Sequence, residues 1–197
     1  MSDQTQDEKL KQYHEYFTIE HRLNVNVLPL ATDFQLPDVE DITAHMPYAF
    51  RMASELSTIE TKALRPLRHL GDHATELADY LNQQSKKIDL MMSYILHQQD
   101  DESHRFTSIE FGGAGLAVKS EEAMSVGEQV ELKIFVEEEA TAIFCYGEVI
   151  QCEALDEDNH RIALIYSRIR EEDQESLVRA SLHLQTRQLK KRSKKKN

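Results

Sequence analysis

Nine residues between Leu67 and Ile95 recur at intervals of three and four without a miss: Leu67, Leu70, Ala74, Leu77, Leu81, Gln84, Ile88, Met91 and Ile95. A strict seven-residue repeat lays one stripe along one side of a helix, so this stretch must be helical and must bury that stripe against something. Leu67, Ala74, Leu81, Ile88 and Ile95 share one core position; Leu70, Leu77, Gln84 and Met91 share the other, with Gln84 the polar member that favours one register. Upstream, Ile59, Ala63 and Leu67 are separated by two successive fours, which shifts the register, and Pro66 stands at the step. A kink or break is expected there, because proline has no amide hydrogen to donate and its ring crowds the preceding turn. Pro47 suits the first turn of a helical region spanning 47–98. Unbroken from Leu67 to Gln98, the helix would be about 48 Å long at ~1.5 Å per residue, more than a small domain needs.

The residues beside the stripe are Ala78, Tyr80, Met92 and Tyr94, where a two-stranded coil carries Glu and Lys. The apolar face is therefore wider than a dimer seam. It suits three or four helices, or one helix packed on its own domain as well as on a partner. Self-association is the expectation, and an internal hairpin folded back on the domain is the alternative.

Outside that region the period changes from helical to two. Leu23, Val25 and Val27 alternate with polar residues and indicate a strand at about 20–29. Residues 104–168 supply FTSIEF, LAVKS, EQVELKIFV, AIFCYGEVIQCEA and HRIALIYSRI, four or five strands separated by turns such as SVGEQ and DEDNH. Strands this close together, without helices between them, pair antiparallel in a small barrel or sandwich. Residues 171–189 return to helix, led by Glu171, Glu172 and Asp173 and striped with Leu177, Val178, Leu182 and Leu184. Residues 1–12 are expected to be disordered, 13–186 to form one domain, and 187–197 to be a basic tail.

Charge sharpens the functional reading. The chain carries 23 Lys and Arg against 35 Asp and Glu, a net of -12, but seven of the bases lie in 187–197, which contains no acid. Residues 1–186 therefore hold 16 bases against 35 acids, a net of -19. Phosphate contacts need clustered cations, so the body excludes general nucleic-acid or anionic-membrane binding and only the tail could provide it. The acidic, polar start MSDQTQDEKLKQ lacks the features of a signal peptide, and no stretch reaches the ~18–20 apolar residues of a membrane span, so a cytoplasmic protein without a transmembrane segment is expected. Cys145 and Cys152 lie seven apart, on opposite faces if on one regular strand, and are read as reduced thiols.

Few residues group as a reactive site. His69 and His73 have a metal-capable spacing with Asp72 and Glu76 nearby, but no third ligand is fixed, and packing is the expected role. The glycines of EFGGAGLAV precede a strand and lack a following Lys-Ser/Thr, unlike a phosphate loop. His104-Arg105 and His160-Arg161 are read as solvated, and no catalytic set can be singled out.

Taken together, SIEFGGAGLAV (108–118), SVGEQVELKIFV (125–136), YGEVIQCEALDEDNHRIALIY (146–166) and the acid-led helix EEDQESLVRASLHL (171–184) resemble the PilZ domain, the small β-barrel family of bacterial cyclic di-GMP receptors. The resemblance implies an α+β fold with a mainly β core: a small antiparallel barrel whose first strand lies in 16–30, with the helices of 47–98 inserted as a coiled coil or bundle, and a C-terminal helix. It is similar to the atypical branch that assembles as tetramers through such helices, which makes a homo-tetramer the expected assembly. The family's Arg-x-x-x-Arg grips phosphate through guanidinium forks; here Thr18 holds the first position and Arg22 the second. Its Asp/Asn-x-Ser-x-x-Gly is represented by Glu110, Gly112 and Gly115, with a longer acid and no hydroxyl. The implied function is a non-enzymatic, cyclic di-GMP-linked signalling module with degenerate nucleotide motifs, acting as an oligomeric adaptor for an unidentified protein partner, with cyclic di-GMP as the candidate ligand. The alternatives are a receptor binding cyclic di-GMP through nonstandard residues such as Arg22, Arg105 or the tail, and a purely structural oligomerisation protein.

Overall fold

Short alternating strands joined by tight turns can only satisfy both backbone edges by closing on themselves. The computed structural model describes residues 5–67 and 75–195. Its elements are α1 (Gln6–Glu15), β1 (Thr18–Glu20), β2 (Asn24–Pro29), α2 (Ile42–His45), α3 (Tyr48–Leu67), α4 (Thr75–His97), β3 (Arg105–Gly112), β4 (Gly115–Ser120), β5 (Gln129–Val136), β6 (Thr141–Ala154), β7 (His160–Arg168) and α5 (Glu171–Lys195). Every pairing is antiparallel, and the order β3-β2-β5-β6-β7-β4 returns to β3 through a β3–β4 ladder, so six strands form a closed barrel with helices added outside.

The strand expected at 20–29 is in fact two. β1 pairs with Glu110–Gly112 and β2 with Arg105–Thr107, so both lie on the same side of β3, interrupted at residues 21–23. The interruption is built by Ser108, whose hydroxyl accepts from the Leu23 amide at 2.7 Å and donates to the His21 carbonyl at 2.7 Å. β3 bulges beside it, between Ser108 and Glu110. Together these turn Arg22 out at the barrel rim, while the His21 amide still donates to the Ile109 carbonyl at 3.2 Å.

The barrel interior holds Val25, Val27, Leu116, Val118, Val130, Leu132, Ile134, Ile143, Cys145, Val149, Ile162 and Leu164, and Leu177, Ala180 and Leu184 of α5 close one end. A bulge between Val149 and Gln151 changes the side-chain parity of β6. Cys152 consequently packs against the same interior cluster as Cys145, which corrects the expectation that they face opposite sides; both thiols are free.

The outer face of β6 is also apolar, and α3 and α4 cover it. Ala49, Phe50 and Ala53 from the start of α3 meet Met92 and Leu96 from the end of α4 over Phe135, Phe144 and Tyr146. Phe50 lies edge-on to Phe135 and Phe144 at 5.8 and 6.4 Å between ring centroids. The two helices thus form an antiparallel hairpin on the barrel. Its exit is fixed by buried Asn26, whose amide donates to Asp100 at 2.8 Å and to the Asp101 carbonyl at 3.0 Å and accepts from the Asp101 amide at 2.9 Å.

Three further expectations need correction. Residues 6–12, expected to be disordered, lie in α1, held by buried Tyr13 and a Thr5–Glu8 capping box. Leu67 does not share a helix with Leu77–Ile95: α3 ends at Leu67, one residue past Pro66 where a kink or break was expected, and α4 is the separate element Thr75–His97. Leu70, Ala74, His69 and His73 fall outside the described residues. Finally, 187–195 is not a separate tail but the last turns of α5, where Lys and Arg are good helix formers and complement the C-terminal end of the dipole.

Phe50 is fully buried at the joint between hairpin and barrel. Phe50→Ala should lower unfolding stability by about 3–5 kcal/mol, the range for deleting a buried aromatic ring, as read by chemical denaturation. A loss under about 1 kcal/mol would mean that the joint contributes little.

Candidate functional site

The strand β3 and the turn into β4 carry Glu110, Gly112 and Gly115, and the chain's own N-terminal segment lies on them. A Cβ on Gly112 would stand 2.3 Å from the Phe17 carbonyl oxygen; on Gly115 it would stand 2.2 Å from the Leu164 carbonyl oxygen and 2.8 Å from the Tyr13 ring. Only glycine permits that approach. Tyr13 is 2% exposed, and its hydroxyl donates to Glu110 at 3.0 Å. Glu110 also takes Arg161 at 2.5 Å, so Arg161, expected to be solvated, is instead half-buried in an ion pair. Lys9 adds a 2.6 Å bridge to Glu148, and the Gln6 side chain donates to the Ile150 carbonyl. Burial first, then the charge and hydrogen bond of Glu110, push the Tyr13 phenol above its ordinary value. The docked segment therefore holds that proton, and the phenol's contribution to docking is fully present below the ordinary tyrosine range and is lost as pH rises through the raised value.

Arg22 stands apart from this covered strand. It is exposed at the rim and lines an open groove of about 500 Å³ with Glu20, His21, Thr107, Ser108, Ile109 and Lys119. A second groove of about 500 Å³ shares Thr107 and Lys119 and adds Arg105, Ser120 and Asn159. Arg105, however, is engaged by Asp100 at 2.7 Å and by Glu102 at 3.5 Å. Neighbouring His104 pairs with Asp101, whose carboxyl is held down at about 2 by hydrogen bonds from Ser103 and then His104. The structure thus separates the two motif positions: Arg22 is open to solvent, while Glu110, Gly112 and Gly115 are occupied.

The heptad stripe divides as well. On α4, Met92 and Leu96 are buried and Leu81, Gln84, Ser85 and Asp89 half-buried, whereas Leu77, Tyr80, Ile88, Leu90, Met91, Tyr94 and Ile95 are exposed, Met91 at 66% and Tyr94 at 69%. No group of three His, Cys, Asp or Glu with metal-binding geometry occurs among the described residues. None of their helices is long and apolar enough to cross a membrane.

Two features were missed by sequence reasoning. One is the plug made by Tyr13, whose only sequence signal is an aromatic three residues after Leu10 in a polar stretch, ahead of Tyr16 and Phe17. The other is the anchoring of α5 beside the rim, where the Gln188 amide donates to the Glu20 carbonyl at 3.0 Å.

The PilZ domain profile matches residues 82–183, more than half of the chain, which therefore belongs to the PilZ domain family, a class of binding modules linked to cyclic di-GMP signalling. Among solved structures, a Xanthomonas campestris PilZ-domain protein described as a tetramer self-assembled via a helical bundle shares 17% identity, covers 91% of this chain and 96% of its own, and superposes with a TM-score of 0.56. The two share the fold. An inhibitor of motility from Bacillus subtilis shares 15% identity over 88% of this chain and 51% of that one, with a TM-score of 0.46. No curated protein matches the chain.

Tyr13 is the main apolar anchor of the N-terminal segment. Tyr13→Ala should speed tryptic cleavage at Lys9 and Lys11 by about tenfold, since cleavage follows local opening, with the barrel intact by circular dichroism. Unchanged cleavage would show that the segment is held elsewhere.

Proposed function

We propose that this PilZ-family protein is an oligomeric adaptor in cyclic di-GMP-linked signalling, self-associating through α4 and working by protein contacts rather than by the family's usual nucleotide grip. The observation that carries this reading is the unpartnered apolar arc of α4, from Leu90 through Tyr94, Tyr80 and Met91 to Leu77, Ile95 and Ile88. An arc this large on a soluble chain is an interaction surface. Its seven-residue period is that of a helix meeting other helices of the same kind, and its opposite side is already seated on the barrel. The arc is too wide for one partner helix and suits a bundle of several copies. The Xanthomonas campestris relative with the same fold is described as a tetramer of that kind, which supports a tetramer here.

The degenerate-motif part of the reading is supported by the occupied Glu110–Gly115 segment and by Thr18 at the position of the first motif arginine. A dinucleotide using the family's contacts would have to displace Tyr13 and compete with Arg161 for Glu110.

Multi-angle light scattering at tens of micromolar should report an oligomer that Leu77→Asp with Met91→Asp reduces to monomers of native circular dichroism, because both side chains are exposed in the single chain. A wild-type monomer would refute self-association. Micromolar cyclic di-GMP binding abolished by Glu110→Ala would refute the degenerate-motif reading.

A further inference from the structure

Helix α5 carries two stripes. Asp173, Leu177, Ala180 and Leu184 are buried against the barrel, and Gln188 bonds to the Glu20 carbonyl, which commits one side. Around the helix from them, Glu175, Val178, Leu182, Gln185, Leu189 and Arg192 follow one another at spacings of three, four, three, four and three. That is a seven-residue repeat, drawn over about 26 Å of helix at ~1.5 Å per residue. Leu182 and Leu189 are 50% and 57% exposed. Val178 lies over Gly113 with one edge and is exposed on the other, and Gln185 is half-buried. Glu175 and Arg192, at the two ends, are exposed, and neither forms an ion pair with any described residue.

Charge says what fits this second stripe. Glu171, Glu172 and Glu175 lie at the start of α5, no acid follows Glu175 in the sequence, and Arg187, Lys190, Lys191 and Arg192 crowd the far end. A membrane of anionic lipid or a nucleic acid lying along the stripe would meet those acids as well as the bases. A second α5 running the same way would set acid against acid and base against base. Turned end for end, the same two helices match throughout. About a midpoint between His183 and Leu184, Glu175 stands opposite the partner's Arg192, Val178 opposite the partner's Leu189, and Leu182 opposite the partner's Gln185. Each contact is then made twice, as a two-fold interface requires.

We propose that the outward stripe of α5 docks the same stripe of a second copy of this chain as an antiparallel, two-fold helix pair. The contact is independent of self-association through α4, because α4 packs on the outer face of β6 whereas α5 closes one end of the barrel. With three apolar side chains from each copy it is weak by itself, with a dissociation constant on the order of hundreds of micromolar. Copies already held together by another contact would raise its effective concentration. A chain with two different self-contacts can join one assembly to the next.

Sedimentation velocity of the full-length chain carrying Leu77→Asp and Met91→Asp, which removes the α4 contact, tests the pairing at about 500 μM, well above the tens of micromolar of the light-scattering measurement. A dimer should form. Glu175→Arg and Arg192→Glu should each weaken it by about tenfold or more, because either reversal sets like charges together at both ends of the pair. An equimolar mixture of the two variants should regain the dimer, since the reversed charges again meet opposites. Leu182→Asp should abolish it. These side chains are exposed, and unchanged circular dichroism confirms the fold. A chain still monomeric at that concentration overturns the proposal, as does a dimer indifferent to both reversals, or a mixture no tighter than its components. Monomers that sediment with phosphatidylglycerol vesicles, or that bind a single-stranded RNA oligomer, also overturn it by assigning the stripe to lipid or to nucleic acid.

Discussion

Strand β6 is buried on both faces, and the rest of the molecule is arranged to make that tolerable. Its inward residues Ile143, Cys145 and Val149 fill the barrel. Its outward residues Ala142, Phe144 and Tyr146 would be an apolar stripe in water without α3 and α4, and Ile150 would join them without α1. Burial of a large aromatic ring contributes on the order of 2–3 kcal/mol, so a strand with two such rings outside the barrel recruits cover from whatever the sequence inserts. The insertion and the N-terminal helix are thus parts of one solution rather than ornaments on a barrel.

This arrangement explains what the sequence disclosed and what it concealed. The alternation in residues 129–136 and the continuous apolar run Ile162–Tyr166 made the barrel strands legible, and the residues quoted for the family resemblance led to the right fold. Period counting failed where one residue changes parity: the bulges at Ser108/Glu110 and Val149/Gln151 depend on tertiary pairing that no local pattern announces. Helix α1 was missed because its composition is that of a solvated segment; the Tyr13 ring lodged over Gly115 and the Lys9–Glu148 bridge hold it, and both contacts join residues more than a hundred positions apart. The site was half legible. Arg22 could be placed at the family's motif, but not the hydrogen bond from Gln188 that ties the end of α5 to Glu20.

Helix α4 carries two demands on one sequence. Met92 and Leu96 fasten it to the barrel, while Leu77, Ile88 and Met91 continue the heptad on its free side. A helix committed on one side cannot rotate to satisfy a new partner, so any assembly on the free side is locked in orientation relative to the barrels. The half-buried polar residues Gln84, Ser85 and Asp89 mark the boundary, and burial raises the carboxyl pKa of Asp89.

Helix α5 is pinned near its start to the Gly113 carbonyl, just past the end of β3, and near its end to the Glu20 carbonyl of β1. Between them Leu177, Ala180 and Leu184 plug the barrel, so the helix behaves as a stiff beam across its mouth. A beam supported at both ends cannot be lifted at one without loading the other. The occupied glycine turn and the strand end at Glu20 are therefore braced by a single helix.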